Sequence, residues 1–231
     1  MSSLPDLRHE RALCRRGCRL VVGIDEVGRG AWAGPVVAAA VGLPLESRQL
    51  RRLLRGVRDS KQMSPIERRD WEPRIRQIAW GCAVGEASVE EIDTLGIVPA
   101  TRLAMLRAAT GLLPSPDGLL IDYLQLPDLQ LQQVALKFGD QRSLSIAAAS
   151  VVAKVHRDRL MVELGRRHPG YGLADNKGYG TAAHRAGLDQ QGPCVVHRRS
   201  FAPVAGLLDV TLSWPAAQGA KLGNSRLMKI A

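Results

Sequence analysis

Acidic side chains that follow apolar runs are the residues of this sequence best suited to chemistry. Residues 20–35, LVVGIDEVGRGAWAGP, pass from a buried-strand pattern directly into Asp25 and Glu26 and then into a glycine-rich turn. Unpaired carboxylates near the interior of a strand are costly. A divalent cation would compensate them, because hard oxygen ligands suit magnesium or manganese. A surface turn with two solvated acids is the competing interpretation of this stretch taken alone.

Two more apolar runs are followed by an aspartate. Residues 118–121 (GLLI) lead into Asp122, and residues 134–138 (VALKF) lead through a glycine into Asp140. Strand ends of an α/β sheet can meet in one crevice. The pattern therefore predicts that these two aspartates join the first pair of acids in a single four-carboxylate site.

Asp158 competes with Asp140 for the fourth position in that site. It lies on a predicted helix, residues 145–164, and not at a strand end. Its neighbours Arg157 and Arg159 favour a surface ion pair for it. Asp140 is therefore the preferred fourth acid.

The elements that must position these acids follow from hydrophobic periodicity. Apolar runs alternate with helical patterns along the chain, which predicts an α/β domain. The second strand should lie antiparallel to the first, since the link between them is too short for a crossover. The predicted strands are residues 20–24, 35–43, 78–84, 118–121 and 134–138. One predicted helix starts at Ser64–Pro65, and two more span residues 98–112 and 145–164.

Charge is distributed unevenly along the 231 residues, a length that suits one domain. The chain has 32 Lys and Arg against 22 Asp and Glu, for a formal net charge of +10. Basic residues concentrate in two blocks, 48–76 and 154–199, which flank a more acidic centre. This distribution suits phosphate contacts around a metal site.

The cysteines and the hydropathy bear on where the protein works. The four cysteines lack the paired spacings of a zinc site, which favours free thiols in a reducing compartment. No apolar run approaches the roughly 20 residues that a membrane span needs. We expect a cytoplasmic monomer with no membrane association, and the sequence carries no readable signal for a protein partner such as a sliding clamp.

Tyr179 stands between two glycines in residues 176–181, NKGYGT. A tyrosine framed by glycines suits stacking on a sugar or base better than it suits a core. An ordinary loop aromatic is the alternative interpretation. Residues 197–201, HRRSF, add side chains of the types that bind phosphate to the same basic half of the chain.

Taken together, these motifs resemble ribonuclease HII, the type 2 ribonuclease H family, over residues 18–204. The opening signature is GIDEVGRGAWAGPVVAAAV, the second is DSKQMSP, the third is KFGD followed by SIAAASVVAKVHRDR, and the last two are NKGYGT and HRRSF. The resemblance implies a ribonuclease H-like fold, with a central mixed sheet of five strands flanked by helices and a helical C-terminal subdomain.

The resemblance also implies roles for individual residues. The four metal-binding acids of the family fall on Asp25, Glu26, Asp122 and Asp140. Gly28, Arg29 and Gly30 match a loop that contacts the 2'-hydroxyl of a ribonucleotide largely through backbone groups, Tyr179 matches a tyrosine that stacks on the sugar of the next nucleotide, and Ser60 and Lys61 match phosphate-contact positions.

Two positions and both ends of the chain depart from the family pattern. Tyr123 stands where the family usually has glycine, and Asn176 stands where histidine is common. We expect residues 1–17 to form a short lead-in with a solvated helix and residues 18–204 to form the catalytic domain. Residues 205–231 lie outside the resemblance and are an extension of unknown role, packed at best in its first half.

The sequence thus predicts an endoribonuclease that uses two magnesium or manganese ions. Its expected substrates are RNA/DNA hybrids and single ribonucleotides embedded in duplex DNA, cut on the 5' side of the ribonucleotide to leave a 3'-hydroxyl and a 5'-phosphate. Such an activity would serve DNA repair. The alternatives are a non-catalytic basic module that binds nucleic acid, and another nuclease or integrase of the same fold.

Overall fold

Five strands form the centre of the computed structural model, which describes residues 4–212 of the chain. The strands are β1 (Val21–Val27), β2 (Val36–Gly42), β3 (Gly81–Ala87), β4 (Gly118–Asp122) and β5 (Gln132–Leu136), in the spatial order β3-β2-β1-β4-β5. β2 runs antiparallel to both β1 and β3, whereas β4 runs parallel to both β1 and β5. The predicted α/β class, the mixed five-stranded sheet and the antiparallel first pair are confirmed.

Helices cover both faces of this sheet. Within residues 4–212 they are α1 (Arg8–Arg15), α2 (Leu50–Leu53), α3 (Pro65–Ile78), α4 (Val89–Leu95), α5 (Ile97–Thr110), α6 (Leu144–Arg167), α7 (Leu173–Asn176), α8 (Ala182–Gln191) and α9 (Ala202–Leu212). One face of the sheet packs against α6 and the other against α5. β2 is apolar along its whole length because both of its faces are buried.

α6 approaches the first strand closely. A Cβ built on Gly23 of β1 would lie 2.2 Å from the main-chain carbon of Ser145, so only glycine fits at this position. The small residues Ala147, Ala148 and Ala149 are fully buried in the same layer. The helix predicted over residues 145–164 is confirmed, and it extends three residues beyond its predicted end.

Several strand boundaries differ from the prediction, among them the start of β3 and the end of β5. The predicted third strand begins at residue 78, but α3 continues through Ile78 because this side chain and Ile75 both pack on the α6-side core. β5 ends at Leu136, two residues before the predicted end at Phe138. Phe138 has a left-handed backbone (φ 57°) and is 60% exposed, so its apolar side chain belongs to a turn.

The ends of the described chain are attached to this domain. The lead-in helix α1 is not a solvated helix as predicted, because Glu10 and Leu13 on its inner face are buried. At the other end α9 continues across the predicted boundary at residue 204, and Val204 is buried. The predicted extension lies outside the described residues from position 213 on. No helix within residues 4–212 has the length and apolar character to cross a membrane.

Candidate active site

Asp25 and Asp122 lie side by side because of the register between β1 and β4. These strands run parallel with Ile24 opposite Ile121, so the next residue of each strand is one of the two aspartates. Side chains alternate along a strand, which places Asp25 on the same face as Gly23, toward α6. Asp25 is 6% exposed. The strand pattern of the sequence is therefore enough to bring these two acids together.

Glu26 completes a group of three acids. One carboxylate oxygen from each of Asp25, Glu26 and Asp122 can be chosen so that all three lie within 4.8 Å of one another. Glu26 Oε1 accepts a hydrogen bond of 3.3 Å from the Arg29 guanidinium, while its Oε2 atom is buried without a hydrogen-bond partner among the described residues. An acceptor left unsatisfied among three carboxylates is a position that a cation would fill.

Asp140 lies beside this group but is not one of the three. It is held in a short 3₁₀ turn, Gly139–Gln141, between β5 and α6, and is 6% exposed. The turn is attached to the neighbouring acid through a hydrogen bond of 2.6 Å from the Gly139 N–H to Asp122 Oδ1. Asp140 thus lies next to the three-acid group but is held by a different element, the turn between β5 and α6.

The pKa values of these acids are raised, because burial and the neighbouring carboxylates disfavour the charged forms. Burial raises the pKa of Asp25 well above its ordinary value, and the carboxylates of Glu26, Asp122 and Asp140 raise it further. Burial also raises the pKa of Glu26 and of Asp122. Burial and the nearby Asp59 raise the pKa of Asp140 to about 6. A divalent cation would restore the ionised forms.

Cations stand around the acids. Burial lowers the pKa of Lys61, but the carboxylates of Asp25, Asp59 and Asp140 outweigh this and leave it raised, so the ammonium stays charged. The short turn Ser60–Gln62 that carries Lys61 begins at Asp59, whose carboxylate accepts the Lys61 N–H at 2.9 Å. Arg68 stabilises this turn by donating a hydrogen bond of 2.8 Å to the Ser60 carbonyl.

The glycine loop, residues 28–35, joins β1 to β2 and forms another wall of the site. Gly28 has a φ of 94°, which favours glycine, and a Cβ at this position would lie 2.2 Å from Nε of Arg157. A Cβ at Gly30, by contrast, would meet no described atom within 4 Å. The glycine at position 30 is therefore not required by packing, and its backbone is open to whatever occupies the site.

Tyr179 faces the site from the tyrosine loop, residues 176–181. The loop is held by Asn176, which donates to the Tyr171 carbonyl at 2.7 Å and accepts the Gly178 N–H at 2.8 Å. His184 Nδ1 lies 3.0 Å from the Tyr179 carbonyl oxygen, which fixes the tyrosine backbone. The Tyr179 side chain itself stays 37% exposed. The interpretation of Tyr179 as an accessible aromatic agrees with this placement.

The structure brings the predicted residues to two adjoining cavities. A cavity of about 470 Å³ is lined by all of them except Asp122. A second cavity, of about 630 Å³, includes Asp122 and shares Glu26, Arg29, Lys61 and Asp140 with the first.

Asp158 is confirmed as an ion-paired residue, but its partners are Lys154 at 2.6 Å and Arg68 at 3.9 Å. The neighbouring Arg157 is fully buried and forms no ion pair with Asp158.

Among the charged residues that line the two cavities, Asp59, Lys137 and Lys154 were not predicted. Asp59, 6% exposed, lines the second cavity, and Lys154 of α6 lines the first. Asp59 stands immediately before the Ser60–Lys61 pair, so its position in the sequence is a signal that could have found it. Lys154 carries no such local signal, because only the packing of α6 brings it to the site.

This sheet, its flanking helices and its acidic site at the end of β1 define a protein of the ribonuclease H-like class. The solved structure of ribonuclease H2 from Pyrococcus horikoshii OT3 shares the fold, with a TM-score of 0.70 at 22% identity over 84% of this chain and 100% of that one. Ribonuclease HII from Archaeoglobus fulgidus, solved in complex with PCNA, gives a TM-score of 0.68 at 26% identity, covering 81% and 96% of the two chains.

Sequence comparison gives the family. The family model for ribonuclease HII matches residues 22–204. Ribonuclease HII of Chloroflexus aurantiacus is 53% identical over 201 residues, which cover 87% of this chain and 95% of that relative. The chain belongs to the ribonuclease HII family and is a ribonuclease H enzyme.

Proposed function

We propose that the protein is an endonuclease that hydrolyses the phosphodiester on the 5' side of ribonucleotides, both in RNA/DNA hybrids and at single ribonucleotides in duplex DNA. The observation that carries the proposal is the grouping of Asp25, Glu26 and Asp122 within 4.8 Å, in cavities also lined by the glycine loop and Tyr179. Hydrolysis would leave a 3'-hydroxyl and a 5'-phosphate. Cleavage at isolated ribonucleotides would serve their removal from DNA.

The residues present fit a divalent cation. Three clustered carboxylates with raised pKa values and the unsatisfied Glu26 Oε2 make an oxygen-rich, anionic donor set, which suits Mg²⁺ or Mn²⁺. Asp25, Glu26 and Asp122 would hold the metal, and Asp140 would contribute to a second ion. When bound, two such ions supply an activated water and stabilise the leaving oxygen.

The chain's own cations would hold the scissile strand. Lys61 stays protonated among the acids and stands at the edge shared by the two cavities, where a phosphate would lie. Ser60 is 7% exposed and lines the first cavity beside it. A basic groove of about 610 Å³ adjoins the site at Lys154 and is lined by further cations: Arg68, Arg69, Arg159, Arg166 and Lys177. Duplex phosphates would follow this groove away from the cut.

The uncharged part of the site would recognise the sugar. Gly30 presents open backbone, so its main-chain groups can approach a 2'-hydroxyl without a side chain between them. Tyr179 would stack on the sugar of the following nucleotide, where a deoxyribose fits. A ribonucleotide followed by a deoxyribonucleotide would satisfy both contacts at once. A non-catalytic binding module would need neither the acid group nor this pair of contacts.

Cleavage of three matched duplexes tests the proposal. The duplexes are all DNA, DNA with one ribonucleotide, and a full RNA/DNA hybrid, each incubated with Mg²⁺ or Mn²⁺ and with EDTA. We expect cleavage of the second and third only, with metal only, and products that end in a 3'-hydroxyl and a 5'-phosphate. Cutting of the all-DNA duplex, or 2',3'-cyclic phosphate products, would contradict it.

The setting of the enzyme is part of the same proposal. The four cysteines are free and none forms a disulfide, which fits a reducing cytoplasm. We expect a monomer on nucleic acid. Size-exclusion chromatography with light scattering, with and without a one-ribonucleotide duplex, would test this, and a two-to-one protein complex on one cleavage site would contradict it.

A further inference from the structure

Two arginines are fully buried beneath the glycine loop. Arg157 of α6 and Arg198 are each 0% exposed, and within residues 4–212 neither forms an ion pair with a carboxylate. A buried cation without a counterion is expensive unless hydrogen bonds satisfy it. The groups that these guanidiniums contact therefore indicate why the charges are there.

The Arg157 guanidinium joins the two loops that flank the site. Its Nε donates to the Pro35 carbonyl at 3.0 Å and one terminal nitrogen donates to the Ala33 carbonyl at 3.1 Å, both in the glycine loop. The other terminal nitrogen donates to the carbonyl of Lys177, in the tyrosine loop, at 2.9 Å. A single planar group thus donates hydrogen bonds to two segments that are remote in sequence.

The same guanidinium lies between Gly28, at the start of the glycine loop, and the Tyr179 ring. A Cβ on Gly28 would lie 2.2 Å from Arg157 Nε, so the glycine backbone rests directly on the guanidinium. On the other side, Arg157 Cζ lies 5.7 Å from the centroid of the Tyr179 ring, within cation–π range. Arg157 is therefore placed between the glycines and the tyrosine.

Arg198 holds the glycine loop from a second side. It donates to the carbonyls of Gly34 and Arg29, each at 2.9 Å. These contacts stay within one loop, whereas those of Arg157 reach both. Arg198 thus stabilises the shape of the glycine loop, whereas Arg157 links that loop to the tyrosine loop, alongside a main-chain hydrogen bond of 2.7 Å from the Trp32 N–H to the Gly178 carbonyl.

We propose that Arg157 is a positioning residue that sets the spacing between the glycine loop and Tyr179 and thereby determines the preference for a ribonucleotide followed by a deoxyribonucleotide. The inference rests on the proposed function. A guanidinium is required because its rigid fork donates to three carbonyls while its Cζ lies within cation–π range of an aromatic ring. A lysine ammonium keeps the charge but cannot make these contacts together.

Arg157→Lys tests the inference, with Arg167→Lys as the matched control. Arg167 lies at the end of the same helix and outside the basic groove, and its side chain is 67% exposed in an ion pair with Glu163. We expect kcat/KM on the one-ribonucleotide duplex to fall by roughly 10- to 100-fold, as for misplacement of a recognition group by about 1 Å. The full hybrid should lose much less, because a ribose follows each cleaved position there and the tyrosine contact matters less. The control should keep the wild-type ratio between substrates.

A double-mutant comparison separates positioning from general damage to the fold. If Arg157 acts through Tyr179, Tyr179→Ala should lower junction cleavage in the wild-type background and add little in the Arg157→Lys background. Equal losses on both substrates, or additive effects of the two changes, would overturn the inference. A wild-type enzyme that does not cut the one-ribonucleotide duplex would instead refute the proposed function.

A measurement on the unmodified protein covers the case in which Arg157→Lys does not fold. With the guanidinium nitrogens labelled with ¹⁵N and with Ca²⁺ in place of Mg²⁺, the Arg157 Nε–H resonance should shift on addition of the one-ribonucleotide duplex. The all-DNA duplex should produce a clearly smaller shift. A resonance that responds identically to both duplexes would contradict the inference.

Discussion

The Gly139 N–H donates a hydrogen bond of 2.6 Å to Oδ1 of Asp122, so one acid of the site fixes the turn that carries another, Asp140. Asp122 thus has a structural contact as well as a proposed metal-binding role. The two can be separated because the amide oxygen of asparagine accepts the same hydrogen bond but carries no charge.

Asp122→Asn and Asp122→Ala should differ in stability but not in activity. Both remove the charge, so we expect cleavage of the one-ribonucleotide duplex to fall at least about 100-fold, the scale of a lost electrostatic group in an active site. Only the alanine leaves the Gly139 N–H without its partner, so it should be less stable by about 1–2 kcal/mol. Urea unfolding measures the difference. Equal stability of the two variants would contradict the structural contact.

The raised pKa values of Asp25 and Asp140 should stabilise the metal-free enzyme at pH 5 by an amount that is lost by pH 8. The pKa of Asp140 is raised from its ordinary value of 3.8 to about 6, and that of Asp25 is also raised well above its ordinary value. A group with a higher pKa in the folded state binds its proton more tightly there, so its stabilisation is complete below pH 3.8 and is lost as pH rises through 6. Melting temperatures in EDTA across this range measure the effect.

Asp25→Asn and added metal supply the controls for this pH dependence. Asp25→Asn should raise the melting temperature in EDTA at pH 8 and abolish cleavage, because it removes a buried, uncompensated charge. Mg²⁺ should stabilise the wild type more at pH 8 than at pH 5, since protons compete with the metal. A change in melting temperature in EDTA between pH 5 and pH 8 that is the same for the wild type and for Asp25→Asn would refute this account.

Two glycines of one loop should respond differently to alanine. Gly28→Ala should lower the free energy of unfolding by about 1–3 kcal/mol, because its φ is 94° and its Cβ would collide with Arg157. Gly30→Ala meets no described atom within 4 Å and should fold as the wild type does. We expect it nevertheless to reduce cleavage of the one-ribonucleotide duplex by about tenfold or more, as a blocked backbone contact to a hydroxyl would. Normal cleavage by a stable Gly30→Ala protein would contradict the proposed sugar contact.

Tyr123 occupies a backbone conformation that favours glycine. Its φ is 60° and its side chain is 62% exposed, so little packing offsets the strain. Because left-handed backbone costs a residue with a Cβ about 1 kcal/mol or more relative to glycine, Tyr123→Gly should be more stable than Tyr123→Ala by about that amount. Thermal unfolding of the two variants compares them. A more stable alanine variant would show that the backbone relaxes at this position.

Local patterns in the sequence were enough to predict the acids but not their supports. Asp25 and Asp122 each follow an apolar run, and the pairing of those runs as parallel neighbours brings the two acids together. Arg157, in contrast, has the sequence context of a surface residue, with charged neighbours on a long helix. It is buried because the carbonyls of Ala33, Pro35 and Lys177 accept its hydrogen bonds. Every residue has a carbonyl, so the pattern of side chains in the sequence does not indicate which carbonyls will bind an arginine.

Boundaries were hardest to predict where apolar residues lie outside strands. Ile78 extends the buried face of α3 instead of beginning β3, and Phe138 belongs to an exposed turn. In both cases hydrophobicity alone does not distinguish the end of one element from the start of the next. The tenth residue of the chain shows the opposite error, since a glutamate on a polar, arginine-rich segment proves to be fully buried.

That glutamate determines how far the protein can be shortened. Oε1 of Glu10 accepts three hydrogen bonds, from the Ser143 hydroxyl at 2.6 Å and from the N–H and hydroxyl of Ser145 at 2.9 and 2.7 Å. These serines stand at the first turn of α6, directly after the turn that carries Asp140. An expression clone trimmed to the matched family region, residues 22–204, would therefore lose a contact that supports the turn carrying Asp140. A minimal fragment should also keep Asp6, whose N–H donates to the Arg142 carbonyl and whose carbonyl accepts the Leu144 N–H.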